Sequence, residues 1–178
     1  MLENLPNVQG DPLWDLLHQF NADKRDQKID LLVGVYRDEL GQTPVMQQVQ
    51  DAEIYLAQQA NSKTYRMLSG NLEFNDLIAK FLLGDSSKVD NNCTIQTVGG
   101  SGALRVLADL IARLSPNSVI WNTDPGYINH RPIMQGAGLT VETFTWQQKN
   151  QLLDIETCFD DLHGAKEGDV ILLHGCSP

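Results

Sequence analysis

Four short segments of the chain carry residue types and spacings that could do chemistry. The first is Gly99-Gly100-Ser101-Gly102, set between Thr94 to Val98, which reads as a strand, and a strongly periodic stretch. Glycines there let a ligand approach the backbone. The first turn of a helix leaves N–H groups unbonded, and the helix dipole favours an anion. Ser101 adds a hydroxyl donor, which makes the segment a candidate phosphate cradle. It is not a Walker A loop, because no Gly-Lys-Ser/Thr follows. It also departs from the dinucleotide fingerprint, because Arg105 stands where the third glycine belongs. The plainer alternative is a tight strand-to-helix turn that binds nothing. The second segment is DPGYINH at 124–130, where Tyr127 offers a flat ring, Asn129 an amide and His130 a titratable imidazole. In isolation it reads as a core tyrosine and a surface histidine; beside an anion site it suits a phosphorylated heteroaromatic ligand. The third is Tyr65 in the polar stretch NSKTYRMLSG, whose phenol either donates to an anion or is simply half-buried. The fourth is VGVYRDELGQTP at 33–44, in which Gly34 interrupts an apolar extended stretch. Gly34 marks either a bulge or a backbone N–H left open to a ligand.

The elements that must position these segments follow from periodicity and punctuation. Asp11-Pro12 caps and starts a helix over about 12–21, with Leu13, Leu16, Leu17 and Phe20 at helical spacing. Residues 29–36 are extended. Thr43-Pro44 starts a second helix to about residue 60, and a third runs over about 71–83. DSSKVDNN is a loop. From there strands and helices alternate. Residues 94–98 form a strand, ALRVLADLIARL a helix, 118–122 a strand, 128–136 a helix, 139–146 a strand, 155–162 a helix and 169–174 a nearly all-apolar strand. Such alternation predicts an α/β layered fold with a mostly parallel sheet. It also puts the glycine turn and DPGYINH on the same edge of that sheet, beyond the carboxyl ends of two strands, where open α/β sheets hold ligands.

Composition excludes several other classes. The chain has 178 residues, enough for one domain with a core, and a formal net charge of −10. Nucleic-acid binding needs clustered Lys and Arg, which are absent. The start MLENLPNVQGDPLW has no basic and then apolar region of a signal peptide, and no apolar run is long enough to span a bilayer. Cys93, Cys158 and Cys176 are too scattered for a disulfide framework or a zinc motif, so no metal is expected and a cytoplasmic location is the simplest. The last strand is followed directly by HGCSP with no covering helix, which reads as a truncated product.

Six segments, in order and in register over essentially the whole chain, resemble the class I, fold-type I pyridoxal-phosphate-dependent aminotransferases of the aspartate/aromatic branch. They are DPLWDLL, KIDLLVGVYRDELGQTPV, KTYRMLSG, GGSGALRV, DPGYINH and GDVILLHGC. The resemblance implies a three-layer α/β sandwich with a mostly parallel sheet, present here as its first half only. It implies an N-terminal arm over 1–12, part of a small domain over 13–40 and the first half of the large cofactor domain over 41–178. The cofactor would be pyridoxal 5′-phosphate. Gly99, Gly100 and Ser101 would hold its phosphate and Tyr127 would stack on its ring. His130 would support an aspartate, beyond residue 178, that pairs with the pyridine nitrogen. Tyr65 would reach the phosphate bound in a neighbouring subunit of a homodimer. Gly34 and Tyr127 would line the substrate pocket, with the Gly34 N–H meeting the substrate carboxylate.

The resemblance further implies transamination between an amino acid and a 2-oxo acid, with aspartate or glutamate as donor and aromatic amino acids accepted as well. The Schiff-base lysine of the family lies in a later motif. None of the seven lysines of this chain stands in such a context, so no catalytic residue is expected within residues 1–178 and the fragment alone is expected to be inactive. Two departures stand out. The family usually has tryptophan where this chain has Tyr127, and many members read Cys-Cys-His where it has Cys176-Ser177-Pro178. Two other functions compete. Asp124 at a strand end could serve a nucleotide-binding domain, against which Arg105 counts, and the chain could be a non-catalytic assembly fragment.

Overall fold

The computed structural model describes residues 12–60, 62–84, 91–149 and 152–175. The expected arm up to Asp11, the Asp11 cap, residues 85–90 of the expected loop and Cys176 to Pro178 lie outside these. The chain divides into two compact units, residues 1–63 and 64–178.

In the first unit, α1 (Pro12–Ala22) opens on a proline, whose missing N–H costs nothing at that position. Its far end is closed by Lys28, whose Nζ donates to the carbonyls of Phe20 (2.8 Å) and Asp23 (2.6 Å) and lies over the Phe20 ring. The 29–36 stretch, expected to be extended, bends at Leu32 and Val33, where Val35 N donates to Val33 O (2.8 Å), and it pairs with no strand among the described residues; α2 (Gln47–Gln59) follows. The Thr43-Pro44 start is displaced by three residues. Thr43 Oγ1 donates to the Tyr36 carbonyl (3.0 Å) and does not cap, so the chain stays extended through Met46 before the helix begins.

The second unit begins with α3 (Leu72–Leu83), capped by Asn71 Oδ1 accepting from Phe74 N (3.2 Å) and stopped by Gly84 at φ +66°. The expected strand at 94–98 is not one. Among the described residues its one backbone bond to a distant segment is Gln96 N to Ser69 O at 3.0 Å, and a strand needs a partner along its length. The helix after it, α4 (Gly99–Leu114), starts four residues earlier than its apolar periodicity, so the glycine segment forms its first turn. Glycine is tolerated there because the first N–H groups of any helix lack intrahelical partners.

Then come β1 (Val119–Asp124), α5 (His130–Gly136), β2 (Thr140–Thr145), a short hairpin of β3 (Gln148–Lys149) and β4 (Leu152–Leu153), α6 (Ile155–Leu162) and β5 (Val170–Leu172). The sheet order is β2-β1-β5, all parallel, with Ile120 opposite Val141 and Val170, and Asn122 opposite Thr143 and Leu172. Alternation along β1 puts Ile120 and Trp121 on opposite faces. Ile120 packs with Ala108 of α4 and Met134 of α5. The Trp121 ring lies against Gly164, just past α6, which itself packs on β2. Helices therefore cover both faces, giving three layers as expected. Phe144, 1 % exposed, is buried on the α6 side, in register with Thr123.

Asp169 ties the amino ends of β1 and β5 together. Its carboxylate accepts from Val119 N (3.0 Å), Lys166 N (2.9 Å) and the Trp121 indole (3.1 Å). The backbone bond from Val119 leads these in holding its carboxyl below the usual aspartate range. No helix among the described residues is long and apolar enough to cross a membrane.

Candidate functional site

The N-terminus of α4 is an open donor turn. Gly99 sits at φ +62°, a left-handed conformation that L side chains rarely adopt, and its N–H donates back to Thr97 O (3.0 Å). Thr97 Oγ1 donates forward to Gly99 O (3.0 Å), which braces the turn from outside. Gly102 N reaches Val98 O (3.2 Å), but among the described residues the N–H groups of Gly100 and Ser101 have no acceptor. A Cβ added at Gly99 or Gly100 would meet nothing within 4 Å, and Gly99, Gly100 and Ser101 are all exposed. Two free N–H groups, a hydroxyl and the positive end of a sixteen-residue helix thus face open space.

The second cluster lies beyond the carboxyl end of β1. The turn leaving the strand is close-packed: a Cβ on Gly126 would stand 2.5 Å from the Thr123 carbonyl oxygen and 2.7 Å from Thr123 Oγ1. Beyond it, Asn129 Nδ2 donates to the Tyr127 hydroxyl (2.9 Å), and the Tyr127 ring meets His130 edge-on, with centroids 5.3 Å apart. Tyr127 is roughly half-exposed, whereas His130, at the start of α5, is only 8 % exposed. The His130 Nδ1 lies 3.2 Å from Oδ1 of the buried Asn122, and its ring is 4.9 Å from that of His174, just past β5. Burial first, and the neighbouring His174 second, push the His130 imidazole below the ordinary histidine range and favour its neutral form.

The structure therefore joins Tyr127, Asn129 and His130 to one another, and it sets the glycine turn on the helix that packs against α5. The head of Arg105, on α4, lies 3.2 Å from where a Cβ on Gly136 would be. Tyr65 is fully exposed, on a loop tied to the residues before the glycine turn through Gln96, which accepts from Asn71 N (3.1 Å) and donates to Ser69 O. Gly34 belongs to the other unit. There Val35 N donates to Val33 O (2.8 Å) across it, and its own N–H has no acceptor among the described residues. Asp30 and Asp38 brace that stretch, Asp30 by accepting from Leu32 N and pairing with Arg37, and Asp38 by accepting from Leu40 N and Gln42 N.

Asn122 and His174 escaped the sequence reading. Each sits inside or just past an apolar run, and a polar residue at such a place was the available signal, although β5 itself leaves Ile171 exposed. Left unbonded, the Asn122 amide would cost about 1–3 kcal/mol, so it calls for a partner. Thr123 Oγ1 and His174 Nε2 are buried and have no hydrogen-bond partner among the described residues.

The sequence pattern of the family described as aminotransferase class I and II matches residues 26–177. An aromatic-amino-acid aminotransferase of Paracoccus denitrificans is 41 % identical over 99 % of this chain and 45 % of its own length. An aspartate aminotransferase of Escherichia coli K12 is 38 % identical over 99 % and 46 %. The crystal structure of an aromatic-amino-acid aminotransferase from Burkholderia pseudomallei, covalently bound to pyridoxal phosphate, superposes with a TM-score of 0.90 at 30 % identity, covering 99 % of this chain and 45 % of that one. The chain thus spans less than half the length of the relatives it matches. With its parallel sheet, its open glycine turn and that match, it belongs to the class I and II aminotransferase family.

Proposed function

We propose that the chain forms the N-terminal part of an aminotransferase that moves an amino group between an amino acid and a 2-oxo acid using pyridoxal 5′-phosphate. The donor is aspartate or glutamate, with aromatic amino acids also accepted. Residues 13–40 contribute to a small domain and 41–178 to the cofactor domain, in a cytoplasmic homodimer.

The observation that carries the proposal is the open turn at Gly99-Gly100-Ser101. The space that two Cβ atoms would occupy is empty, and unbonded N–H groups point outward, which suits a phosphoryl group. In this reading the N–H groups of Gly100 and Ser101 and the Ser101 hydroxyl donate to phosphoryl oxygens. The Tyr127 ring lies along the cofactor ring; its hydroxyl accepts from Asn129, which limits its rotation. His130, buried and neutral, supports an aspartate from later in the protein at the ring nitrogen. The Gly34 N–H meets the substrate carboxylate, and the exposed Tyr65 donates to the phosphate of a second subunit. When bound, the cofactor's ring supplies the electron sink for the substrate α-carbon. The lysine that would hold the cofactor covalently and carry the α-proton is not among the seven of this chain.

The test is titration of the 178-residue chain with pyridoxal phosphate, followed by borohydride and peptide mapping. Saturable binding that inorganic phosphate displaces and that Ser101→Ala weakens, with no specific lysine modified and no transamination, is the expected result. Reduction of the cofactor onto one specific lysine, or binding indifferent to phosphate, overturns the proposal.

A further inference from the structure

His130 is buried among three neighbours on three elements: Asn122 from β1, the Tyr127 ring from the turn after β1, and the His174 ring just past β5. Only one of these forms a hydrogen bond with the imidazole. Tyr127 presents its ring to His130, at 79°, and its hydroxyl is engaged by Asn129. His174 lies with its ring tilted by 54°, and among the described residues no hydrogen bond joins the two imidazoles. Among the described residues Asn122 alone reaches a ring nitrogen, placing Oδ1 3.2 Å from Nδ1. A carboxamide oxygen can only accept, so the proton of that bond belongs to the imidazole. Asn122 is itself 6 % exposed in the middle of a parallel strand, where an apolar residue would pack as well; its polar group is explained by this bond.

We infer that Asn122 is a positioning residue, which fixes neutral His130 as its Nδ1–H tautomer and leaves the lone pair on Nε2. This deepens the proposed function and rests on it for its consequence. A ring held in this form has no proton on Nε2 to give an ionised carboxylate. When the aspartate expected from later in the protein arrives, His130 donates to it only by taking up a second proton. The resulting imidazolium is held at Nδ1 by Asn122 and at Nε2 by the carboxylate. Asn122 thereby links the protonation of His130 to the assembly of the ring-nitrogen site.

The tautomer is read directly, without cofactor, by long-range proton–nitrogen NMR on the ¹⁵N-labelled 178-residue chain at about pH 8, where histidine is neutral. His130 is assigned among the four histidines by the signal lost in His130→Gln. The expected pattern is Nδ1–H for His130, against the Nε2–H form that solvent-exposed histidines prefer. Asn122→Val should return His130 to the Nε2–H form. Asn122→Asp should keep Nδ1–H and raise the His130 titration midpoint by about one pH unit or more. An Nε2–H tautomer in the unsubstituted chain, which an unfolded chain or a reversed Asn122 amide also gives, overturns the inference. So does an Asn122→Val chain that keeps Nδ1–H. If Asn122→Val fails to fold, Asn122→Asp decides, since a tautomer switch there overturns the inference too. Failure of the phosphate titration leaves this reading standing, and failure here leaves the phosphate site standing.

Discussion

Residues 47–83 and residues 99–145 carry apolar side chains at the same kinds of spacing, yet most of the buried ones lie in the second region, around β1, α5 and β2, while Leu110 and Leu114 of α4 stay exposed. In α2 no residue is buried, and in α3 only Asn75 and Ala79 are; Phe81, on the same helix, is 82 % exposed. In the β1–α5–β2 region Ile120, Met134 and Phe144 are each 1 % exposed. The difference is not helical propensity or capping, since α3 is capped at both ends. It is cover. A parallel strand and its crossover helix bring the opposing surface along within a few dozen residues, whereas the apolar faces of α2 and α3 have none among the described residues. Amphipathic spacing states which face wants burial and says nothing about what will bury it.

Three substitutions sharpen that contrast. The largest effect is expected from Phe144→Ala, which empties a filled site against α6 and should lower stability by about 3–5 kcal/mol, read from the urea midpoint. A loss no larger than that of an exposed residue would mean the second region is not packed as described. An intermediate effect is expected from Asp169→Asn, whose amide cannot accept all three bonds that tie β1 to β5. Because the folded carboxyl titrates below its ordinary value of 3.8, its contribution is complete above that pH and is lost as pH falls through the lower folded value. The two proteins should thus differ in melting temperature at neutral pH and converge in acid; a gap independent of pH would count against the charge-assisted tie. The smallest effect is expected from Phe81→Ala, within about 0.5 kcal/mol, because that ring has little contact to lose. A cost near that of Phe144→Ala would show that α3 is covered in solution and would remove the contrast.

Much of the architecture was legible from residue order. Helices and strands from Ser118 onward fall within a few residues of their apolar periods, since each has a partner that rewards the pattern. Residues 94–98 show the limit of that logic, because their apolar and β-branched content reads as a strand while the ladder is decided by a neighbour. The β3–β4 hairpin, two residues a side, is too short to have any period. In the candidate site, the glycine segment and DPGYINH announced themselves through residue types that punctuate a fold. Asn122 and His174 did not, because each becomes meaningful only when β1 and β5 are placed side by side, some fifty residues apart in the chain.

The crowding at Gly126 has a practical consequence for anyone diversifying this motif. A side chain there must displace the Thr123 carbonyl, and with it the path by which Tyr127 and His130 reach their partners. Combinatorial libraries that vary Ile128, which is exposed, while holding Gly126 constant would sample new surface chemistry on an intact scaffold. Libraries that randomise both would spend most of their members on misdirected rings.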